Sequence, residues 1–276
     1  MRNTTLSNLA MSSFVGFSVA VFLLIMFPDL GTSRKPNSSE DPLQFLGKKN
    51  VSTASFSPAV LRAAPSVVNI YTMKEKVVDK QQLWHPQLGP ATVIRKKPYQ
   101  ALGSGVIMRS DGIILTNHHL IKGAVDVGVV LYDGREAPVS LIGIEQEADL
   151  AVLKLDLENL RAINMGSPDN AMIGDIVLAI GNPHGVGQTV TQGIISAKNV
   201  TDVNTINPYQ SFLQTDAAIN EGNSGGALID TNGNLLGINT LTDRNLGSIS
   251  FAIPSDVAQR TMNEILAGRG WLGFNA

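Results

Sequence analysis

Short apolar segments separated by Asp-Gly and Asn-Gly dipeptides restrict the fold of this chain more than any other feature. Three such dipeptides, Asp111-Gly112, Asp133-Gly134 and Asn232-Gly233, each lie between two apolar runs. Tight hairpin turns need positive φ at their central residues, so each dipeptide predicts a β-hairpin. Many short strands joined in this way predict an all-β sandwich or barrel. The strand-like runs are 67–72, 105–108, 113–117, 127–132, 150–155, 175–181, 189–197, 211–216, 227–230 and 235–240.

Two helices and one long loop complete the expected secondary structure. Ser57 as the N-cap and Pro58 at the first helical position predict a short helix through Ala64. A longer amphipathic helix is expected after Pro254, with Gly268 closing its C-terminus. Residues 73–102 are polar and contain proline, and this pattern predicts a mobile surface loop.

The composition excludes several classes of protein. The 276-residue chain has 21 Lys+Arg against 23 Asp+Glu. It therefore lacks the excess of positive charge that is typical of proteins that bind nucleic acid. With 43% hydrophobic and 16% charged residues, it has enough apolar material for a folded core. It contains no cysteine, which excludes disulfides, thiolate metal sites and a cysteine nucleophile. The segment GNPHGVG (181–187) lacks the Gly-Lys-Ser/Thr ending of a phosphate-binding loop, so we expect no nucleotide cofactor.

The N-terminal segment is apolar enough to cross a membrane. Residues 9–27 form a run of 19 mainly apolar residues, preceded by a head at 1–8 and followed by a linker at 28–55. A helix of this length reaches roughly the ~30 Å thickness of the hydrocarbon core of a bilayer. We therefore expect a transmembrane anchor, with a cleaved secretory signal or a buried helix as the alternatives. The positive charges on the two sides of the run do not decide its orientation.

A serine stands among glycines in the segment GNSGG (222–226). In such a turn a serine hydroxyl is open, and neighbouring backbone N–H groups point at one spot that can bind an oxyanion. The segment also matches G-x-S-x-G, the nucleophile motif of α/β-hydrolases, which place their histidine after the serine. All four histidines (85, 118, 119 and 184) precede Ser224, so that interpretation is rejected. A glycine-rich turn without function is the remaining alternative.

A serine nucleophile needs a base, and the base needs an orienting partner. The candidates are the adjacent pair His118 and His119, of which only one can face a given serine, and Asp149. Each has a simpler interpretation, as a surface turn or as a polar residue at the start of a strand. Glu145 and Glu147 alternate with Asp149 like metal ligands, but no histidine spacing completes a metal site, so no metal is expected.

Six segments together resemble the HtrA/Deg family of trypsin-like serine proteases. The similarity covers residues 56–270 and implies two packed six-stranded β-barrels of the chymotrypsin type with a C-terminal helix. It also implies a catalytic triad of His119, Asp149 and Ser224 in the cleft between the barrels, since these residues match the family motifs. The segments are TNHHL (116–120), ADLAVLK (148–154), GNPHGVGQTVTQGIISA (181–197), LQTDAAINEGNSGGALID (213–230), GIN (237–239) and SFAIPSD (250–256).

The resemblance also implies a mechanism and a specificity. Ser224 would attack a peptide carbonyl, and the backbone N–H groups of Gly222 and Ser224, with Asn223 between them, would bind the oxyanion. Ala218 and Ile219 stand where the family forms its primary substrate pocket. Because neither is charged, we expect small aliphatic side chains before the cut, rather than Lys or Arg.

An N-terminal anchor on a single protease domain resembles the membrane-anchored, DegS-like stress-sensor branch of the family. That resemblance implies a homotrimer at the bacterial inner (cytoplasmic) membrane, with its protease domain in the periplasm. Its implied substrates are misfolded envelope proteins or a membrane-spanning regulator such as an anti-sigma factor. Residues 271–276 resemble a truncated lead-in to a PDZ domain, which we expect to be absent. The segment 198–210 stands in the place of the family's sensor loop but lacks an arginine matching the activating residue. We therefore do not assign the family's mode of regulation to this chain.

A non-enzymatic function on the same fold is the alternative. The triad would then stay misaligned, and the protein would act as a membrane-tethered holder of peptides or client proteins. The presence of all three triad residues favours the enzyme.

Overall fold

Two β-sheets and three α-helices make up the part of the chain that the structure describes. The structure is a computed structural model, and it describes residues 55–85, 89–181, 187–201, 211–220, 222–243 and 249–268. The predicted anchor, most of the linker and the predicted PDZ lead-in lie outside these residues. The helices are α1 (Ser57–Ala63), α2 (His118–Ile121) and α3 (Ser255–Leu266), with a 3₁₀ turn at Ala64–Ser66. None of the helices in the described ranges is long and apolar enough to span a membrane.

The strands divide between two sheets in chain order, so each half of the chain builds one sheet. The first sheet contains β1 (Val67–His85), β2 (Gly89–Arg109), β3 (Ile113–Asn117), β4 (Ala124–Val130), β5 (Glu136–Pro138), β6 (Ser140–Glu145) and β7 (Leu150–Lys154). The second contains β8 (Asn164–Met165), β9 (Ile176–Gly181), β10 (Thr189–Val200), β11 (Phe212–Thr215), β12 (Ala227–Ile229), β13 (Asn234–Asp243) and β14 (Ile249–Pro254).

Each sheet closes into a barrel. In the first, the order is β5-β4-β1-β2-β3-β7-β6, and only one residue, Val139, separates β5 from β6. The two ends of that order are therefore one bent segment, which closes a barrel of six strands. In the second, the order is β12-β9-β10-β11-β14-β13, and β12 also pairs with β13, which closes a second ring of six. The expected pair of six-stranded barrels is thus present, with β8 added in parallel to β13.

Three apolar clusters follow from these barrels, one inside each and one between them. Strands β3 and β7 contribute to two of the clusters because successive side chains point to opposite faces. Ile114 and Leu153 pack inside the first barrel, whereas their neighbours Leu115 and Val152 pack in the layer between the barrels. Strands buried on both faces appear in the sequence as apolar runs, and residues 113–115 at the start of β3 form such a run.

The C-terminal helix α3 fastens the two barrels together. It contacts β6 and β7 of the first sheet and β13 and β14 of the second. Ala258, Met262 and Ile265 are buried on one helix face, as their spacing predicts, and they join the cluster between the barrels. The backbone N–H of Gly268, at φ 73°, donates to the carbonyl of Ile265, so the predicted C-terminal closure is confirmed.

The prediction of a mobile loop at residues 73–102 is wrong. These residues belong to a long antiparallel hairpin in which β1 pairs with β2 from Val67 to His85. Pairing of β1 with β4 ends at Lys74, so no other strand in the described part of the chain lies beside the outer part of the hairpin. Without a buried face no alternation of apolar and polar residues is required, and the sequence pattern therefore gave no strand signal. The outer hairpin is held by backbone pairing and by cross-strand contacts. One of these joins Lys96 Nζ to Glu75 Oε2 at 2.9 Å.

The start of the first helix also differs from the prediction. The N-cap is Phe56, without a side-chain cap hydrogen bond, and Ser57 is the first helical residue. The hydroxyl of Ser55 accepts the backbone N–H of Ser57 at 3.3 Å, so the serine that satisfies a helix N–H lies two residues earlier than expected. The helix itself ends at Ala63, before the 3₁₀ turn that contains Pro65.

All three Asp-Gly and Asn-Gly dipeptides do join paired antiparallel strands, and two of them form a matched pair for a stability test. Gly112 and Gly134 have φ of 93° and 85°, whereas Asp111 and Asp133 do not have positive φ, so the expectation of positive φ at both central residues is wrong for these turns. A Cβ added at Gly112 would overlap the carbonyl oxygen of Leu155, whereas nothing lies within 4 Å of a Cβ at Gly134.

We expect Gly112→Ala to destabilise the protein more than Gly134→Ala. Both variants carry the cost of a left-handed alanine, about 1 kcal/mol, but only the first must also displace the backbone at Leu155. We expect losses of about 3 kcal/mol or more for Gly112→Ala and about 1 kcal/mol for Gly134→Ala. Urea-induced unfolding followed by circular dichroism measures both losses. Equal losses would contradict this account of the turn.

Candidate active site

The carboxylate of Asp149 organises one side of the candidate site. Its Oδ2 lies 2.7 Å from Nδ1 of His119, and its Oδ1 accepts the backbone N–H of the same histidine at 2.9 Å. The side chain of Asp149 is 13% exposed and that of His119 is 43% exposed. A carboxylate accepts only, so Nδ1 of His119 carries the proton and Nε2 is the basic nitrogen.

Local backbone geometry brings these two residues together. His119 lies in α2, which follows the last residue of β3, and Asp149 immediately precedes β7, the neighbour of β3. Asp149 has φ 52°, a left-handed conformation that aspartate adopts more readily than most residues. Its carbonyl accepts the backbone N–H of His118 at 3.0 Å and the side-chain amide of Asn117 at 3.2 Å. The start of α2 is therefore attached to Asp149 by both its backbone and its carboxylate.

Thr240, in β13 of the second barrel, is a site residue that the sequence analysis missed. Its hydroxyl donates to Oδ2 of Asp149 at 3.0 Å, and its side chain is buried. This hydrogen bond crosses from the second barrel to the first. The only sequence signal was its position directly after the segment GIN, which a single threonine in an apolar strand does not make distinctive.

The nucleophile turn at 222–226 has an almost complete set of backbone hydrogen bonds. The N–H of Asn223 donates to the carbonyl of Asn220 at 3.0 Å, and the N–H of Gly226 donates to the carbonyl of Asn223 at 3.0 Å. The N–H of Gly225 donates to the carbonyl of Asn239 at 2.7 Å. Within the described residues, the N–H groups of Gly222 and Ser224 donate to no acceptor. Backbone donors in a folded protein are normally paired. Two free donors with one residue between them therefore indicate an anion-binding position.

Ser104 holds this turn from the first barrel. Its hydroxyl donates to the carbonyl of Gly222 at 2.6 Å, and its backbone N–H donates to the carbonyl of Ser224 at 2.9 Å. The carbonyl of Ser104 in turn accepts the hydroxyl of Thr116 at 2.7 Å. Gly225, at φ 79°, must be glycine because a Cβ there would overlap that same carbonyl. Ser104 is fully buried, and it is the second site residue that the sequence analysis did not identify.

The hydroxyl of Ser224 donates to the carbonyl of Thr240 at 3.2 Å. Within the described residues it forms no hydrogen bond to His119. The two predicted triad partners of the histidine are therefore arranged differently. Asp149 is bonded to it, whereas Ser224 lies in a rotamer directed at β13. In structures without substrate, catalytic hydrogen bonds are often absent or long, so this arrangement does not remove Ser224 from the site.

His118 is distinct from His119 although the two are adjacent. Its side chain is buried, and burial lowers its pKa, with the carboxylate of Asp149 acting in the opposite direction. The neutral ring packs in the protein, and the side chain of His119 is the more exposed of the pair. The two adjacent side chains therefore lie in different environments, and it stays a prediction that His119 is the one that faces the serine.

The two residues expected to form the primary pocket lie close to the turn but differ in exposure. Ala218 is exposed, and its carbonyl accepts the hydroxyl of Thr191 at 2.8 Å and the side-chain amide of Asn223 at 3.5 Å. Ile219 is 1% exposed and belongs to the apolar cluster inside the second barrel. Ala218 is therefore the member of the pair that offers surface to a ligand.

A cleft of about 320 Å³ opens beside the candidate triad. His119, Gly222 and Ser224 line one side of it, and β1 and β2 of the first barrel line the other. Neither Ala218 nor Ile219 lines this cleft, so it is separate from the expected primary pocket.

The described residues contain no metal-binding cluster near the site. Among the residues that the structure describes, no group of three or more His, Cys, Asp or Glu side chains could hold a metal ion. His184 and most of the segment 198–210 lie outside the described residues.

Comparisons with known proteins identify the family to which this chain is related. Residues 103–238 match the family model described as a trypsin-like peptidase domain. The serine endoprotease DegS of Escherichia coli K12 is 41% identical over 271 residues, covering 94% of this chain and 71% of DegS. A probable periplasmic serine protease, do/HhoA-like, of Haemophilus influenzae is 44% identical over 188 residues, covering 65% of this chain and 40% of that protein.

The solved structures agree with the sequence matches. The HtrA-type protease AlgW with decapeptide superposes with a TM-score of 0.67 at 46% identity, covering 78% of this chain and 69% of that one. Identity of this degree over most of both chains, together with the double barrel, is sufficient to assign the family. The chain belongs to the HtrA/DegS family of trypsin-like serine proteases and is a serine-type endopeptidase.

Proposed function

We propose that this protein hydrolyses peptide bonds through a triad of Ser224, His119 and Asp149. The observation that carries the proposal is the combination of a histidine oriented by Asp149 with a serine turn that leaves two backbone N–H groups free. Neither feature has a purpose in a glycine-rich turn that only connects two strands. Together they supply a base, a nucleophile and a position for the negative charge of an acyl-transfer intermediate.

The proposed chemistry assigns one role to each group. After rotation of its side chain from Thr240, the hydroxyl of Ser224 gives its proton to Nε2 of His119 and attacks the peptide carbonyl. The carboxylate of Asp149 stabilises the imidazolium that forms. His119 then returns the proton to the leaving amine, and water repeats the sequence to release the acyl group. Thr240 keeps Asp149 in place, because its hydroxyl occupies the remaining acceptor position on Oδ2.

The N–H groups of Gly222 and Ser224 bind the oxyanion, with Asn223 as the spacer between them. A donor of this kind contributes on the order of 3–4 kcal/mol to the stabilisation of the transition state. The contribution depends on donors that do not reorient during the reaction. The hydrogen bonds of Asn223, Gly225 and Ser104 hold the turn and supply that rigidity.

The proposed setting of the reaction is the bacterial envelope. Residues 9–27 anchor the chain in the inner membrane, and the protease domain acts in the periplasm as a homotrimer on misfolded proteins or a membrane-spanning regulatory protein such as an anti-sigma factor. The apolar N-terminal run supports the anchor. The relatives support the periplasmic setting of the protease domain: one is named DegS, and another is described as periplasmic.

One observation favours a second candidate function, a membrane-tethered holder of peptides or client proteins. The hydroxyl of Ser224 is bonded to Thr240 and not to His119, so the serine is not activated in this arrangement. A protein fixed in this state would bind peptides without cutting them. The two candidates differ in whether Ser224 becomes reactive when a client is bound.

Labelling by a fluorophosphonate probe separates the two functions and tests the triad. We expect the full chain to be labelled in the presence of an unfolded client protein, and both Ser224→Ala and His119→Asn to lose labelling and client cleavage. His118→Asn is the matched control and should retain both, because a buried neutral histidine transfers no proton. Absence of Ser224-dependent labelling with client present would favour the holder. Loss of labelling in His118→Asn but not in His119→Asn would overturn the choice of histidine.

Ser104→Ala tests the support of the nucleophile turn. Removal of its hydroxyl leaves the buried carbonyl of Gly222 without a donor, which costs about 1–3 kcal/mol. We expect kcat per titrated active site to fall about tenfold with little change in KM, since the loss affects the oxyanion site in the transition state. Ser66→Ala is the control, because the Ser66 hydroxyl is buried without a partner among the described residues and should leave kcat unchanged. Equal kcat in both variants would show that Ser104 has no such role.

The uncharged pocket predicts small aliphatic residues before the cut. Ala218 offers neither a carboxylate to pair with Lys or Arg nor depth for a large ring. In a peptide library, we expect Val and Ala at this position to exceed Lys and Arg in kcat/KM by at least about tenfold. Mass spectrometry of the cleaved library identifies the residues. Cleavage mainly after Lys or Arg would contradict the assignment of Ala218 and Ile219 to the pocket.

A further inference from the structure

One cation lines the cleft beside the candidate triad. Lys74, near the point where β1 leaves β4, lines the same cavity as His119 and Ser224. Its ammonium donates to the backbone carbonyl of His119 at 3.2 Å. The charge is therefore held within one hydrogen bond of the main chain of the catalytic histidine. Neither the family motifs nor the mechanism above uses this residue.

The charge of Lys74 is not neutralised by its neighbours. Within the described ranges no carboxylate lies at ion-pair distance from it, and the adjacent Glu75 is paired with Lys96 at 2.9 Å. Tyr99 stands opposite Lys74 on β2 and lines the same cleft. Partial burial lowers the pKa of Lys74. A partly desolvated cation without a counter-charge attracts an anion more strongly than an exposed lysine does.

The cleft lies on the leaving-group side of the scissile bond. His119 donates its proton to the leaving amine in the proposed mechanism, so the residues after the cut must pass over this histidine. His119 and Gly222 line the cleft, whereas Ala218, which is expected to face the residue before the cut, does not. Apart from Lys74, the cleft walls include apolar side chains such as Ile70, Leu102 and Leu120. An extended peptide advances about 3.3 Å per residue, so Lys74 is within reach of the first two residues after the cut.

We propose that Lys74 selects substrates that present a carboxylate on the leaving-group side, at one of the two positions after the scissile bond. This inference rests on the proposed endopeptidase function of the same site and names part of its substrate class. The carboxylate comes from an Asp or Glu side chain or from the C-terminus of the substrate. Its pairing with Lys74 neutralises the cation that the free enzyme leaves uncompensated in the cleft.

Peptides that differ only after the cut test the proposal with the full chain in detergent. Each has Val before the cut, an amidated C-terminus, and Glu, Gln or Lys at both positions after the cut. For the wild-type protein we expect kcat/KM to be about threefold to tenfold higher for Glu than for Gln, with Lys lowest. Lys74→Met should remove the difference between Glu and Gln, and Lys74→Glu should place Lys above Glu. Raising the salt from 50 to 500 mM should reduce the wild-type preference, about as expected for screening of a partly exposed pair.

Lys97→Met is the matched control, since Lys97 lies further along the same hairpin and does not line the cleft. It changes the net charge by the same amount and should keep the wild-type ratio of Glu to Gln. A fourth peptide, with Gln after the cut and a free C-terminal carboxylate at the second position, separates a terminal from a side-chain carboxylate. A gain for this peptide that Lys74→Met abolishes identifies the terminus as a second source of the same group.

The outcomes separate this inference from the proposed function. If no peptide is cleaved in a Ser224-dependent manner, the endopeptidase function fails at this site. If cleavage depends on Ser224 but the ratios of Glu, Gln and Lys are the same in the wild type and both Lys74 variants, the selection by Lys74 is wrong. The same ratios in Lys97→Met and Lys74→Met would also overturn it, because the preference would then reflect net charge and not position.

Discussion

The hydrogen bonds of Ser104 to the nucleophile turn are the interaction on which the candidate site depends. The hydroxyl and N–H of Ser104 reach the carbonyls of Gly222 and Ser224, on either side of Asn223. Ser104 belongs to the first barrel and the turn to the second, so these two bonds set the turn against the barrel that carries the histidine. The N–H groups of Asn223, Gly225 and Gly226 are bonded as well, so among the N–H groups of residues 222–226 those of Gly222 and Ser224 are left free within the described residues.

Asp149, in the first barrel, also connects the two barrels through hydrogen bonds. Its carboxylate and carbonyl accept hydrogen bonds from α2 of its own barrel and from Thr240 of the second. The site therefore lies where polar bonds cross an interface that is otherwise apolar. The apolar layer between the barrels fixes their separation, since close-packed side chains there leave little freedom of movement. The polar bonds then need only orient groups that packing has already brought within reach.

Local signals in the sequence were sufficient for the elements that are buried or sharply turned. Strand β3 was predicted residue for residue because the apolar residues 113–115 follow directly after an Asp-Gly dipeptide, which favours a tight turn. Ser224 and Asp149 were candidates from residue type and position, whereas the choice of His119 over His118 came from the resemblance to the HtrA/Deg family. The outer β1–β2 hairpin, Ser104 and Thr240 could not be predicted in these ways. The hairpin has no buried face, and the two hydroxyls act through contacts that exist only after the barrels have packed.

Thr240 has two opposed effects on the proposed reaction, and their balance decides how easily the site becomes active. Its hydroxyl orients Asp149, whereas its carbonyl accepts the hydroxyl of Ser224 and keeps it from His119. A neutral hydrogen bond of this kind contributes about 0.5–1.5 kcal/mol, which corresponds to a population ratio of roughly 2 to 13. A ligand that binds the rotated state of the serine more tightly by more than this ratio makes that state the major one. A substrate that fills the cleft beside Ser224 can supply that difference, so the arrangement without substrate is compatible with an enzyme that its own substrate activates.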